Sequence, residues 1–187
     1  MIPAQQVQVT LTQSQAQGFL GLFQRGVLVA AETGCSLWSF LTEQLGVPPD
    51  YVKERVTTIF LDGDVIDSLE GSIVRDGSVL ALSAAMPGLV GATMRRGGYY
   101  AAMRAAITHG IESAPASVAG AAGTVRVKLF NLLIPELGPA LLAHGIVIER
   151  SEAAEALDAD ALRDFPASGP VMLRVRFSDE RRGRAGA

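Results

Sequence analysis

From residue 7 the chain alternates. Val7-Gln8-Val9-Thr10-Leu11 sets an apolar side chain at every second position, the period of a strand with one face buried. Val27-Leu28-Val29-Ala30-Ala31 predicts a second strand. Thr57 to Leu61 and Val79 to Leu82 predict two more, rich in β-branched and bulky apolar residues. Each lies beside an Asp-Gly pair, Asp62-Gly63 or Asp76-Gly77, suited to a turn with positive φ. Between the second and third strands the period changes. Leu37, Phe40, Leu41 and Leu45 recur at helical spacing, Ser36 is the expected N-cap, and Gly46 with Pro48-Pro49 stops the helix. Asp50 to Arg55 reads as a short polar, helical link.

The segment Gln13 to Gly26 breaks this rhythm. It joins a Gln/Ser run to Phe19-Leu20-Gly21-Leu22-Phe23, more apolar material than a hairpin loop carries. Either these side chains pack on the chain's own second half, or Phe19, Leu20, Leu22 and Phe23 form a lip that docks a partner.

Tyr99 to His109 reads as a helix with Tyr99, Tyr100, Met103 and Ile107 on its apolar side, and Ser113 to Gly123 as a small-residue linker. Thr124 to Phe130 alternates as a strand, Pro135 or Glu136 to His144 reads as a helix, and Ile146 to Glu149 as a strand. A helix capped by Ser151, with Glu152 and Glu155 near its positive end, a further helical turn or two to Phe165, and a strand from Val171 to Phe177 complete a β-α-β-α-β unit. That unit either forms a second sheet or extends the first. The expected divisions are 1–90, a helix and linker over 91–123, the small α+β unit over 124–178, and a disordered tail over 179–187.

With 187 residues, 49% hydrophobic and 19% charged, the chain can bury a core without disulfide or metal staples. A net charge of −3 gives no general pull toward nucleic acid or anionic lipid. The single Cys35 excludes an internal disulfide and fits a reducing compartment. No basic-then-apolar leader opens the chain and no apolar run approaches membrane-spanning length, so a soluble cytoplasmic protein is expected.

The order strand, loop, strand, helix, strand, turn, short strand, strand over residues 7–88 resembles a ubiquitin-like β-grasp. In particular it is similar to the sulfur-carrier family of the ThiS/MoaD type. The likeness is carried by Val27 to Leu41, by Phe60-Leu61-Asp62-Gly63-Asp64-Val65, and by Arg75-Asp76-Gly77-Ser78-Val79-Leu80-Ala81-Leu82. The resemblance implies an α+β fold in which one helix crosses a mixed sheet, followed here by the small α+β unit. It covers a little under half the chain and specifies scaffold better than chemistry. Sulfur carriers of this kind end in a free Gly-Gly whose carboxylate becomes a thiocarboxylate; here the chain runs on past Gly88 for about half its length. Arg95-Arg96-Gly97-Gly98 resembles the ending of ubiquitin, so these four residues are a candidate processing site. Equally, the glycines free the backbone to change direction and the arginines are solvated.

Candidate chemistry is sparse. His109 and His144 each end a predicted helix, where an imidazolium is favoured by the terminal carbonyls. Cys35 and Trp38 read as packing residues, and Cys35 has no basic cluster to activate it. No zinc spacing, Walker loop, G-x-S-x-G elbow or G-x-G-x-x-G occurs. Asp62, Asp64 and Asp67 crowd a turn without the Gly and Glu of an EF-hand. Arg126, Lys128, Arg174 and Arg176 would form a basic stripe if their strands pair, but no aromatics interleave for single-stranded nucleic acid. The sequence therefore names no catalytic residue, cofactor or metal site. The first expectation is a non-enzymatic adaptor that binds a protein partner, with self-association through exposed edges as a further route. A sulfur-carrier precursor cleaved after Gly98 is the second. The third is an enzyme or small-ligand binder with a pocket between the two halves.

Overall fold

A computed structural model describes residues 2–86, 88–100 and 120–178. Among these the chain is mixed α+β, built on one eight-stranded mixed sheet. The strands are β1 (Gln6–Leu11), β2 (Val27–Thr33), β3 (Thr58–Leu61), β4 (Asp64–Val65), β5 (Val79–Ser83), β6 (Ala121–Phe130), β7 (Ile146–Glu149) and β8 (Pro170–Phe177). The helices are α1 (Leu20–Arg25), α2 (Leu37–Ser39), α3 (Pro49–Glu54), α4 (Gly88–Met94), α5 (Leu133–His144) and α6 (Arg150–Ala153).

Strand order is β1-β8-β7-β2-β6-β5-β3-β4. Of the two arrangements open to the second half, the structure adopts the one that extends the first sheet. Strand β6 inserts between β2, to which it is antiparallel, and β5, to which it is parallel.

Strands β1 and β2 do not form a hairpin; β8 and β7 separate them. Strand β1 runs parallel to β8, β8 antiparallel to β7, and β7 antiparallel to β2, so β1 and β2 point the same way. Parallel strands need a crossover. The segment after Leu11 supplies it as a 3₁₀ turn, Gln15–Phe19, leading into α1. The excess of apolar residues there is thus explained: Phe19, Leu22 and Phe23 are the buried face of a crossover. By the same reasoning β6 and β7 are parallel and α5 is their crossover, straddling β2.

The helix predicted after β2 forms with its cap as expected, the Ser39 amide donating to Ser36 Oγ at 3.1 Å. After Ser39 it loosens. The Leu45 amide donates to the Phe40 carbonyl, an i to i+5 bond, and Thr42 Oγ donates to the Trp38 carbonyl inside the same turn. Leu37, Phe40, Leu41 and Leu45 are nevertheless all buried, and Leu41 and Leu45 face Leu82, Val127 and Leu129 across a small gap. Helix α5 packs on β8 and β6, and α1 packs on β6 and α5, so one core runs the width of the sheet. On the opposite face Leu28, Arg126, Lys128, Val79, Ala81 and Phe60 are only half buried.

Three local readings shift. Strand β6 begins at Ala121, three residues inside the expected linker, because Ala121, Ala122 and Gly123 pair with Thr33, Glu32 and Ala31. A Cβ on Gly123 would lie 2.7 Å from Thr33 Cγ2 and 2.8 Å from Asp76 Oδ1, so smallness here serves close strand packing. Helix α6 is capped by Glu149, not Ser151: the Glu149 side chain takes the amide of Glu152, and Glu152 returns the bond to the Glu149 amide. His144 Nε2 lies 3.3 Å from the Ala30 carbonyl on β2, so it ties α5 to the sheet and does not cap its own helix. The helix expected beyond Tyr100, with His109, most of the 113–123 linker and the 179–187 tail lie outside the described residues.

Candidate functional site

The four residues of the expected docking lip separate. Phe19, Leu22 and Phe23 are buried, at 0%, 4% and 2% exposure, and Leu20 alone is 42% exposed. Phe23 lies so close to α5 that a Cβ on Gly138 would sit 2.8 Å from its ring. Phe19, Leu22 and Phe23 are therefore core, because a crossover helix must bury its apolar side on the sheet it crosses, and Leu20 is left on the surface.

The Arg95-Arg96-Gly97-Gly98 segment is tied down. The Arg96 amide donates to the Thr57 carbonyl, and its guanidinium donates to the carbonyls of Val52 at 2.7 Å and Lys53 at 3.2 Å. These belong to the last turn of α3, where carbonyls lack intrahelical partners. Burial pushes the guanidinium pKa down. Gly97, at φ +64, makes the change of direction that follows.

The acidic turn serves structure. Asp62 and Gly63 both adopt positive φ, as the β3–β4 turn requires, and the Asp62 carboxylate accepts from Ser78 Oγ at 2.9 Å and the Val79 amide at 2.7 Å. Among the described residues no group of three or more His, Cys, Asp or Glu could hold a metal ion. Among them, too, no helix is long and apolar enough to cross a membrane. The Cys35 thiol donates to the Glu32 carbonyl and accepts from Gln44 Nε2, and burial pushes its pKa up, the opposite of an activated nucleophile. The basic residues share a face without forming a continuous stripe. Strands β6 and β8 are three strand spacings apart, about 14 Å.

One polar cluster bridges distant parts of the chain. Glu136, in the first turn of α5, accepts from Arg55 Nη2 at 2.5 Å, from Arg55 Nε at 3.0 Å, and from the Tyr51 hydroxyl. The bidentate Arg55 bonds, then the Tyr51 bond, hold the Glu136 carboxyl down at about 2. Burial, then the neighbouring carboxylate, push the Tyr51 hydroxyl well above its ordinary value. The arrangement is a clasp between α3 and α5. It keeps Glu136 ionised and offers no group poised to exchange a proton near neutral pH. A carboxyl whose pKa is lowered by folding stabilises the fold above its unfolded value and ceases to do so as pH falls through the folded one. Wild type should therefore melt above Glu136→Gln at pH 7, with the gap shrinking as pH falls below about 4.5 and on through about 2; melting curves across that range check it, and a gap that stays constant from pH 7 to pH 2 would contradict it.

The concavity that remains lies on the half-buried sheet face. It encloses about 520 Å³, with Val79 and Ala81 of β5 as floor and Phe60, Met86 and Phe130 as apolar walls. Pairing sets Phe60, Ala81 and Lys128 in one row across β3, β5 and β6, so Lys128 stands at the side of the groove. Asn131 closes one end at φ +55, a left-handed conformation asparagine tolerates, and its amide donates to Ser83 Oγ and to the Ala85 carbonyl. A second hollow, about 550 Å³, lies between the 3₁₀ turn and α5 beside Leu20 and Pro135. Comparison with family models, with curated proteins and with solved structures finds no match. The sheet groove escapes sequence reading because its walls come from both halves. The alternation of β6 puts Lys128 and Phe130 on one face, but nothing local tells that β5 will lie beside them.

Proposed function

We propose that this is a non-enzymatic cytoplasmic adaptor of β-grasp type that binds a protein partner. The order β2-β6-β5-β3-β4, with β6 and β5 parallel at its centre and α2 following β2, supports a β-grasp whose central strand comes from late in the chain. The observation that carries the adaptor reading is a set of large apolar side chains left in water where β5 and β6 end. Leu89 is 74% exposed, Val90 60% and Leu132 53%, and the bond from Asn131 to the Ala85 carbonyl brings the two segments together. Soluble proteins seldom leave such a group uncovered without a use.

Purification from native extract should recover one stoichiometric partner with the wild-type chain. The Leu89→Asp/Leu132→Asp double variant should lose it while its melting curve stays unchanged, since exposed substitutions cost at most about 0.5 kcal/mol each. Retention of the partner by the variant would refute this surface, and recovery of only a second copy of the chain would make the contact self-association. The sheet groove favours a second reading, a small-ligand binder, because its lining comes from Phe60, Val79 and Ala81 in the first half of the sequence and Lys128 and Phe130 in the second.

A further inference from the structure

We infer that the groove over β3, β5 and β6 takes an amphipathic carboxylate, a small molecule with an apolar body and a single acid group. The proposal goes beyond the adaptor reading and does not depend on it. The volume, about 520 Å³, is in the range that holds a small ligand. Val79, Ala81, Phe60, Met86 and Phe130 offer apolar contact, and the polar Ser83 and Asn131 are bonded to each other at one end. The apolar side chains would accept an alkyl chain or a ring.

Lys128 supplies the selectivity. It is the one charged side chain lining the groove, and no hydrogen bond or ion pair engages its ammonium among the described residues. Its stem is seated by a missing side chain. A Cβ on Gly26, itself at φ +106, would lie 2.9 Å from Lys128 Cγ, so only glycine leaves the lysine that position. The neighbouring charges are already committed. Arg126 Nη1 donates to the Gly26 carbonyl at 2.9 Å, and the Asp62 carboxylate is held by Ser78 and Val79. A ligand settling on the apolar floor strips water from the ammonium, and an unpaired charge so stripped is costly unless the ligand brings an opposite one. A carboxylate supplies that charge. An alcohol of equal length compensates it poorly, and a cation repels it.

The test uses the full chain and three probes of one chain length: decanoate, decanol and decyltrimethylammonium. Titrations are followed by calorimetry and by amide chemical shifts. Decanoate should bind at least about tenfold tighter than decanol, with shifts centred on Phe60, Ala81, Lys128 and Phe130, and the ammonium probe should not bind there. Lys128→Met, which keeps the stem and removes the charge, should lose about tenfold for decanoate and leave decanol unchanged. Equal affinity for decanoate and decanol in the wild type would overturn the proposal. So would an unchanged decanoate affinity in Lys128→Met, or shifts confined to the hollow beside Leu20 and Pro135. The Leu89/Leu132 double variant should still bind decanoate, so failure of the ligand assignment and failure of the adaptor reading remain distinguishable.

Discussion

Residues 1–98 produced alone should show no cooperative thermal transition, and supplying residues 99–187 as a second chain should restore one. The shorter piece keeps β2, β3, β4 and β5 but lacks β6, the strand between β2 and β5. It also lacks β8, the one strand paired with β1 among the described residues. Val125, Val127 and Leu129 of β6 are each 0% exposed, so their removal leaves α2 packing against a split sheet. The loss expected is the whole stability of a small domain, on the order of 5–15 kcal/mol. Circular dichroism melts of the fragment, and of the two pieces mixed, decide it. A fragment that melts cooperatively by itself would show that β6 is dispensable and would reopen release of a carrier ending at Gly98. If only the mixed pieces melt, a cut after Gly98 could free a carboxylate but not a free-standing carrier.

Phe23→Ala should destabilise the protein by about 3–5 kcal/mol, the cost of removing a fully enclosed aromatic ring. Phe23 meets Phe19 at a ring separation of 6.4 Å and lies against Gly138 of α5, so its loss opens a void where the first crossover touches the second. Leu20→Ala, three residues away and exposed, should change stability by no more than about 0.5 kcal/mol. Urea unfolding of the two variants checks the contrast. Similar small effects for both would mean that the segment is not the core element described above.

What could be read from the sequence followed the range of the interaction responsible. The α2 cap, the Asp62-Gly63 turn, the apolar stripe from Leu37 to Leu45, and the alternation of β1 and β6 are set by neighbours within a few residues, and all of them formed. The partners of those strands are chosen by contacts far apart in the chain, such as Val7 with Leu173 or Val29 with Val125, and no local pattern encodes them. The order strand, loop, strand leaves open whether β1 and β2 pair across the segment between them. Its unexplained apolar content was the sign of a crossover. Ala121-Ala122-Gly123 misled for a related reason: small residues suit a linker and suit a crowded strand junction equally well, and only Thr33 and Asp76 across the gap distinguish the two. The groove was hidden because Phe60, Ala81 and Lys128 meet only once β6 lies beside β5.

The pairing of β1 with β8 has a bearing on how the protein is made. Gln6–Leu11 leaves the ribosome more than 150 residues ahead of Pro170–Phe177, so β1 must wait for its partner. At elongation rates of about 5–20 residues per second that interval is on the order of ten seconds. Throughout it Val7, Val9 and Leu11 have no sheet to cover them. The sheet is therefore expected to gain β1 only after β8 has emerged, and β1 is the strand most in need of a chaperone in the meantime.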